Sequence, residues 1–145
     1  MTAPKGRNKE NKAMERKLAA ELCAASVFIM DTLAAGIAPP GESLPAREDL
    51  RETVYQANTQ ARLALNAYNR AVEGRIALDV VVIQAAERLE KGASVAMRME
   101  FNTTLWVHTY EQLKESAYFL ISQFQFTEDE LTSARDKLSR FYSQP

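Results

Sequence analysis

The chain has 145 residues, of which 46% are hydrophobic and 26% charged, a composition typical of one soluble globular domain. It carries 18 lysines and arginines against 19 aspartates and glutamates, so the net charge of −1 gives the whole molecule no strong attraction for a polyanion. A single cysteine excludes an internal disulfide, and the polar start lacks the apolar segment of a secretory signal. We therefore expect a cytoplasmic protein with no integral membrane segment.

The first quarter of the chain predicts a basic lead followed by one long helix. Residues 1–8 contain Pro4 and Gly6 and no apolar anchor, so we expect them to be disordered. Over Lys9–Ala35, apolar residues recur at steps of three and four, which is the spacing of one helix face. The stripe consists of Met14, Leu18, Leu22, Ala25, Ile29 and Leu33.

A proline-rich loop separates this helix from the next one. Gly36 is expected to cap the first helix with a positive φ, and the prolines of segment 36–44 exclude further helix. The second helix is predicted over 45–72, with Pro45 in its first turn and Ser43 or Leu44 as its cap.

Near Gly74 the apolar stripe changes phase, because extending the second helix would place Asp79 on its core face. An unbroken helix over 45–91 would be about 70 Å long, too long for a compact domain of this size. We therefore favour a turn at Gly74 over a kink, and a third helix over 75–91. Its apolar residues occupy two sides rather than one.

Gly92 and Ser94 predict a second interruption, with the glycine ending the third helix and the serine capping the fourth. The fourth helix is predicted over 95–124, with a near-heptad apolar seam in which Asn102 is a polar member. Thr127 and Glu130 form a capping-box pattern that starts a fifth helix.

These elements predict an all-α protein, an up-and-down antiparallel helical bundle of four main helices plus a short C-terminal helix. Residues 9–145 would form this single domain. Short connections at Gly74 and Gly92 would make consecutive helices antiparallel.

Residues able to perform chemistry are few. His108 is the only histidine, so neither a di-iron carboxylate site nor a Cys/His zinc site can be assembled, and we expect no metal, cofactor or catalytic residue. Cys23 lies among alanines, as expected of a small packing residue. Asp79 is the one carboxylate in an apolar setting, because it falls within the predicted third helix. Desolvation there can raise a pKa and would suit an enzyme, but we favour an Asp79 at the boundary of the apolar face, bonded to a nearby arginine or tyrosine.

Surplus apolar surface indicates an interaction module that works by self-association, most simply as a dimer. The third and fourth predicted helices each carry a second apolar face that one layer of neighbours cannot easily cover. The candidate interface residues are Ile76, Val80, Ile83, Met97, Phe101, Leu105 and Phe119. A scaffold, adaptor or regulatory subunit would act in this way.

The alternative is a nucleic-acid-binding accessory protein whose oligomer displays several basic arms. Six cationic side chains and only two acidic ones precede residue 18. The possible phosphate-binding residues are Lys5, Arg7, Lys9, Lys12, Arg16 and Lys17. The segment contains no aromatic residue for base stacking, which counts against this alternative.

Overall fold

The computed structural model describes residues 9–38 and 41–143, with side-chain surroundings for 10–38 and 41–140. Residues 1–8, expected to be a disordered lead, lie outside this part of the chain. The described residues form helices only, with no strand. The five helices are α1 (Lys9–Ala35), α2 (Arg47–Glu73), α3 (Val80–Arg98), α4 (Thr104–Phe124) and α5 (Glu128–Ser143).

Helix α1 is the central helix of the bundle and packs against all the others. Around it, α5 packs on α2, α2 on α3 and α3 on α4. Contacts between Arg16 and Phe124, and between Trp106 and Leu33, show that α4 runs antiparallel to α1. Helix direction alternates along the chain, so the predicted all-α, up-and-down bundle is confirmed, with α5 longer than the short C-terminal helix that we expected.

The core is built for close helix approach. Half of the buried apolar residues that the structure describes are alanines, including Ala25, Ala61 and Ala93 at 0% exposure. Gly92 continues this pattern within α3, where an added Cβ would lie 2.7 Å from Leu113 Cδ1. The predicted break at Gly92 is therefore wrong: the glycine lies in the helix interior and lets α4 approach α3.

The connection between α3 and α4 lies several residues later, over 99–103. Met99 (φ 49°) and Asn102 (φ 58°) both adopt the left-handed conformation, and Thr103 caps α4 by accepting a hydrogen bond from the Trp106 amide. Asn102 is exposed in this turn. Its predicted place in a helical seam is wrong, because the apolar spacing of three and four happens to continue across the turn.

The chain turns at Gly74, as favoured, and the connection extends to Asp79. The Gly74 N–H donates to the Arg70 carbonyl at 2.9 Å and the Arg75 N–H donates to the Val72 carbonyl at 3.0 Å, which ends α2. Asp79 is the N-cap of α3, and its Oδ1 accepts the Val81 N–H at 2.9 Å. The prediction that Asp79 lies within an apolar helix is therefore wrong, as is the predicted start of that helix at residue 75, which leaves Ile76 in the connection.

Three helix ends bear on the remaining capping predictions. Gly36 has no positive φ; instead, an added Cβ would lie 2.6 Å from Trp106 Cζ2, so the glycine is needed for close packing. Ala46 precedes α2 and makes no side-chain cap bond, so neither Ser43 nor Leu44 serves as the cap. The capping box is confirmed, because the Thr127 and Glu130 side chains each accept the other residue's amide N–H, at 3.1 and 2.8 Å.

One described helix is long and apolar enough to span a membrane by length and composition, namely the Glu10–Ala35 part of α1. From the sequence we expected no segment of this length and hydropathy. Within the bundle, 67% of the apolar 18-residue stretch of this helix is buried. A single helix of this kind is weak evidence for a membrane span, because core helices pass the same test.

Candidate functional site

The candidate interface residues lie at two opposite ends of the bundle rather than on one face. At one end of the bundle, the start of α3 lies beside the end of α4, since Gln123 Nε2 donates to Asp79 Oδ2 at 3.5 Å. This end holds Val80, Ile83 and Phe119. Val80 is 62% exposed and Phe119 40% exposed, whereas Ile83 is half-buried.

The opposite end holds Met97, Phe101 and Leu105, about 26 Å further along α3 at 1.5 Å per residue. Met97 is 38% exposed. Phe101 and Leu105 are half-buried, and the Phe101 ring packs edge-on against Trp106 with centroids 5.2 Å apart. Ile76 belongs to neither group, since it lies in the 74–79 connection and faces a groove beside α1.

The predicted interface residues omit three exposed apolar residues at the first end, namely Val72, Tyr118 and Ile121. Val72, in the last turn of α2, is 49% exposed, and Tyr118 on α4 is 66% exposed with its ring 6.2 Å from that of Phe119. The same end of α2, α3 and α4 thus carries a set of exposed or half-buried apolar side chains. We name this set the end patch, and it comprises Val72, Val80, Ile83, Tyr118, Phe119 and Ile121.

Only three of the possible phosphate-binding side chains, those of Lys12, Arg16 and Lys17, are among the described residues, and one of these three is engaged within the bundle. Lys5, Arg7 and the Lys9 side chain lie outside the described residues, whereas Lys12 and Lys17 are exposed. Arg16 Nη2 donates to Glu130 Oε1 at 2.8 Å, and Nη1 donates to the Phe124 carbonyl at 2.7 Å. Arg16 thus fastens the α4–α5 junction to α1.

The electrostatics of this junction follow from the paired charges. The Arg16 guanidinium and the Thr127 amide stabilise the ionised Glu130 carboxylate, which lowers the pKa of Glu130 to about 2. The hydrogen bonds that Arg16 donates to the Glu130 carboxylate raise the pKa of Arg16. The Arg16 guanidinium also lies 5.7 Å from the centre of the Phe126 ring. A phosphate at Arg16 would have to displace these contacts.

The reactive side chains lie apart from one another. Burial raises the pKa of the Cys23 thiol to about 11, so the thiolate is scarce at neutral pH. His108 is exposed on α4. Among the described residues, no three His, Cys, Asp or Glu side chains are grouped so that they could hold a metal ion.

The architecture defines the chain as an all-α protein, a five-helix bundle arranged around a central helix. No protein-family model, curated protein or solved structure matches it. The surface of the bundle is therefore the basis on which we infer a function.

Proposed function

We propose that this chain is a non-enzymatic interaction module, a scaffold, adaptor or regulatory subunit, which self-associates as a two-fold dimer through the end patch. The observation that supports this function is the exposure of large apolar side chains there, led by Tyr118 at 66% and Val80 at 62%. Grouped apolar residues of this kind are typical of protein–protein interfaces.

A two-fold dimer would bring the end patch of one copy against the same patch of the other. Aromatic side chains such as Tyr118 and Phe119 are enriched at the centres of interfaces. Full burial of one large apolar side chain stabilises by about 1.5–3 kcal/mol. Association itself costs roughly 4–15 kcal/mol, so several side chains of the end patch must be buried together for a stable dimer to form.

Sedimentation velocity over a wide range of protein concentration tests the proposal. We expect the wild-type chain to pass from monomer to dimer in the micromolar range. The double variant Val80→Glu/Tyr118→Glu should remain monomeric, since each buried charge would lack a partner. Both positions tolerate glutamate in the monomer, because both are exposed and Val80 is the first residue of α3, where an acid interacts favourably with the helix dipole.

Tyr55→Glu is the matched control, because Tyr55 is 44% exposed on α2 but lies away from the end patch. This variant should associate like the wild type. A wild-type chain that stays monomeric at high micromolar concentration would contradict the proposal, as would equal association of all three proteins.

A further inference from the structure

A groove opens between the N-terminal half of α1, the C-terminal end of α2 and the 74–79 connection. Its volume is about 390 Å³, within the range of small-molecule sites. The connection is held across α1 because Glu15 Oε2 accepts the Asp79 N–H at 2.6 Å. Lys137 of α5 lies at the edge of the groove.

The walls of the groove are mainly apolar. Met14 belongs to the core stripe of α1, yet it is 52% exposed because it lies beside this open space. Leu18 and Ala71 form the base, and Ile76 and Leu78 of the connection are only half-buried. An occupant with a hydrocarbon body would cover these side chains.

The charges at the groove favour an anionic head group. Both acidic side chains that line it are engaged, since Glu15 accepts the Asp79 amide and Glu21 accepts Lys137 Nζ at 3.2 Å. Lys17 and Arg70 also line the groove; both are exposed, and neither side chain makes an ion pair within the described part of the chain. The side chains of Lys17 and Arg70 are therefore available to bind a carboxylate.

We propose that this groove binds a free, monomeric fatty carboxylate, with its chain against Met14 and Leu18 and its head group between Lys17 and Arg70. A cationic amphiphile is disfavoured, because it would have to displace Lys137 from Glu21. The groove and the end patch lie at the same end of the bundle but share no residue, and the binding argument does not require self-association.

Isothermal titration calorimetry with decanoate, below its critical micelle concentration, tests the proposal. We expect saturable binding with one site per chain, and affinity weakened about fivefold by either Lys17→Gln or Arg70→Gln. Decanol and decyltrimethylammonium carry the same chain with a neutral and a cationic head group. Both should bind at least about tenfold more weakly than decanoate if charge complementarity contributes as proposed.

Arg62→Gln is the matched control, because Arg62 is an exposed cation of α2 that does not line the groove. Its decanoate affinity should equal that of the wild type. The proposal is overturned if decanoate shows no saturable binding, if the three head groups bind equally, or if Arg62→Gln weakens binding as much as Arg70→Gln. Thermal unfolding of each variant verifies that the bundle is intact.

Discussion

The close approach of α3 and α4 at Gly92 makes a prediction about the sign of a stability change. In Gly92→Ala, the new methyl group would lie 2.7 Å from Leu113 Cδ1 and 3.4 Å from Ile29 Cγ2. Both neighbours are 0% exposed, so neither can swing into solvent. Overpacking of this kind costs about 1–3 kcal/mol, whereas replacing a glycine in a helix interior gains about 1 kcal/mol. We therefore expect a net loss of up to about 2 kcal/mol.

A double-mutant cycle separates the clash from the helix propensity. Leu113→Ala alone should destabilise by about 2–5 kcal/mol, because it leaves a cavity in the core. In that background the Gly92→Ala methyl group enters vacated space, so the second substitution should stabilise by about 1 kcal/mol. The effect of Gly92→Ala thus changes sign with the residue at position 113.

Urea unfolding followed by far-ultraviolet circular dichroism measures all four corners of the cycle. Ser94→Ala, at an exposed position of the same helix, is the control and should change stability by a few tenths of a kcal/mol. Gly92→Ala that stabilises the wild type, or that has the same effect in both backgrounds, would refute the close-approach argument.

The remaining predictions concern the α4–α5 junction and the buried thiol. Because the folded pKa of Glu130 is lowered to about 2, its ion pair stabilises fully above the ordinary glutamate range and is lost as pH falls toward 2. Arg16→Gln should reduce that part of the acid dependence of the unfolding midpoint, because only the contacts with Thr127 then lower the pKa of Glu130, and an unchanged acid profile would contradict this. Thr127→Ala removes the cap bond to the Glu130 amide and should cost about 1 kcal/mol in urea unfolding, whereas an unchanged midpoint would count against the cap. Cys23 should react with a thiol reagent at neutral pH only when the protein unfolds, and rapid labelling of the native chain would contradict its burial.

The local pattern of the sequence is sufficient to predict elements that one uninterrupted signal defines. The bounds of α1, Lys9–Ala35, were predicted correctly, because its apolar stripe continues without interruption from Met14 to Leu33 and Gly36 follows. The capping box at Thr127 is likewise local, since both of its hydrogen bonds join residues three apart.

The α3–α4 connection was not predictable from pattern because its residues are not the usual turn formers. Met99 adopts a positive φ although it is not a glycine. Gly92, by contrast, lies within a helix, and Leu113, 21 residues later in the chain, leaves no space there for a side chain. A glycine needed for packing and a glycine needed for a turn look the same in one sequence. Tertiary contact decides between them.

The candidate surface was predictable only in part for a related reason. The sequence shows that α3 and α4 have surplus apolar residues, but not which of these the neighbouring helices cover. Trp106 covers part of Phe101, and the 74–79 connection carries Ile76 toward α1. Val72 and Tyr118 were missed because Val72 continues the apolar stripe of α2 and Tyr118 lies within an apolar run of α4, and neither pattern shows which of its members are exposed.

Self-association through the end patch is best tested by measuring the methyl chemical shifts of the wild-type protein as it is diluted. Val72, Val80 and Ile83 report on the end patch, and Met97 and Leu105 report on the opposite end of the bundle. We expect the chemical shifts of the end-patch methyl groups to change with protein concentration, and those of Met97 and Leu105 to stay constant. Shifts confined to Met97 and Leu105, or no shift at any methyl group up to high micromolar concentration, would contradict it.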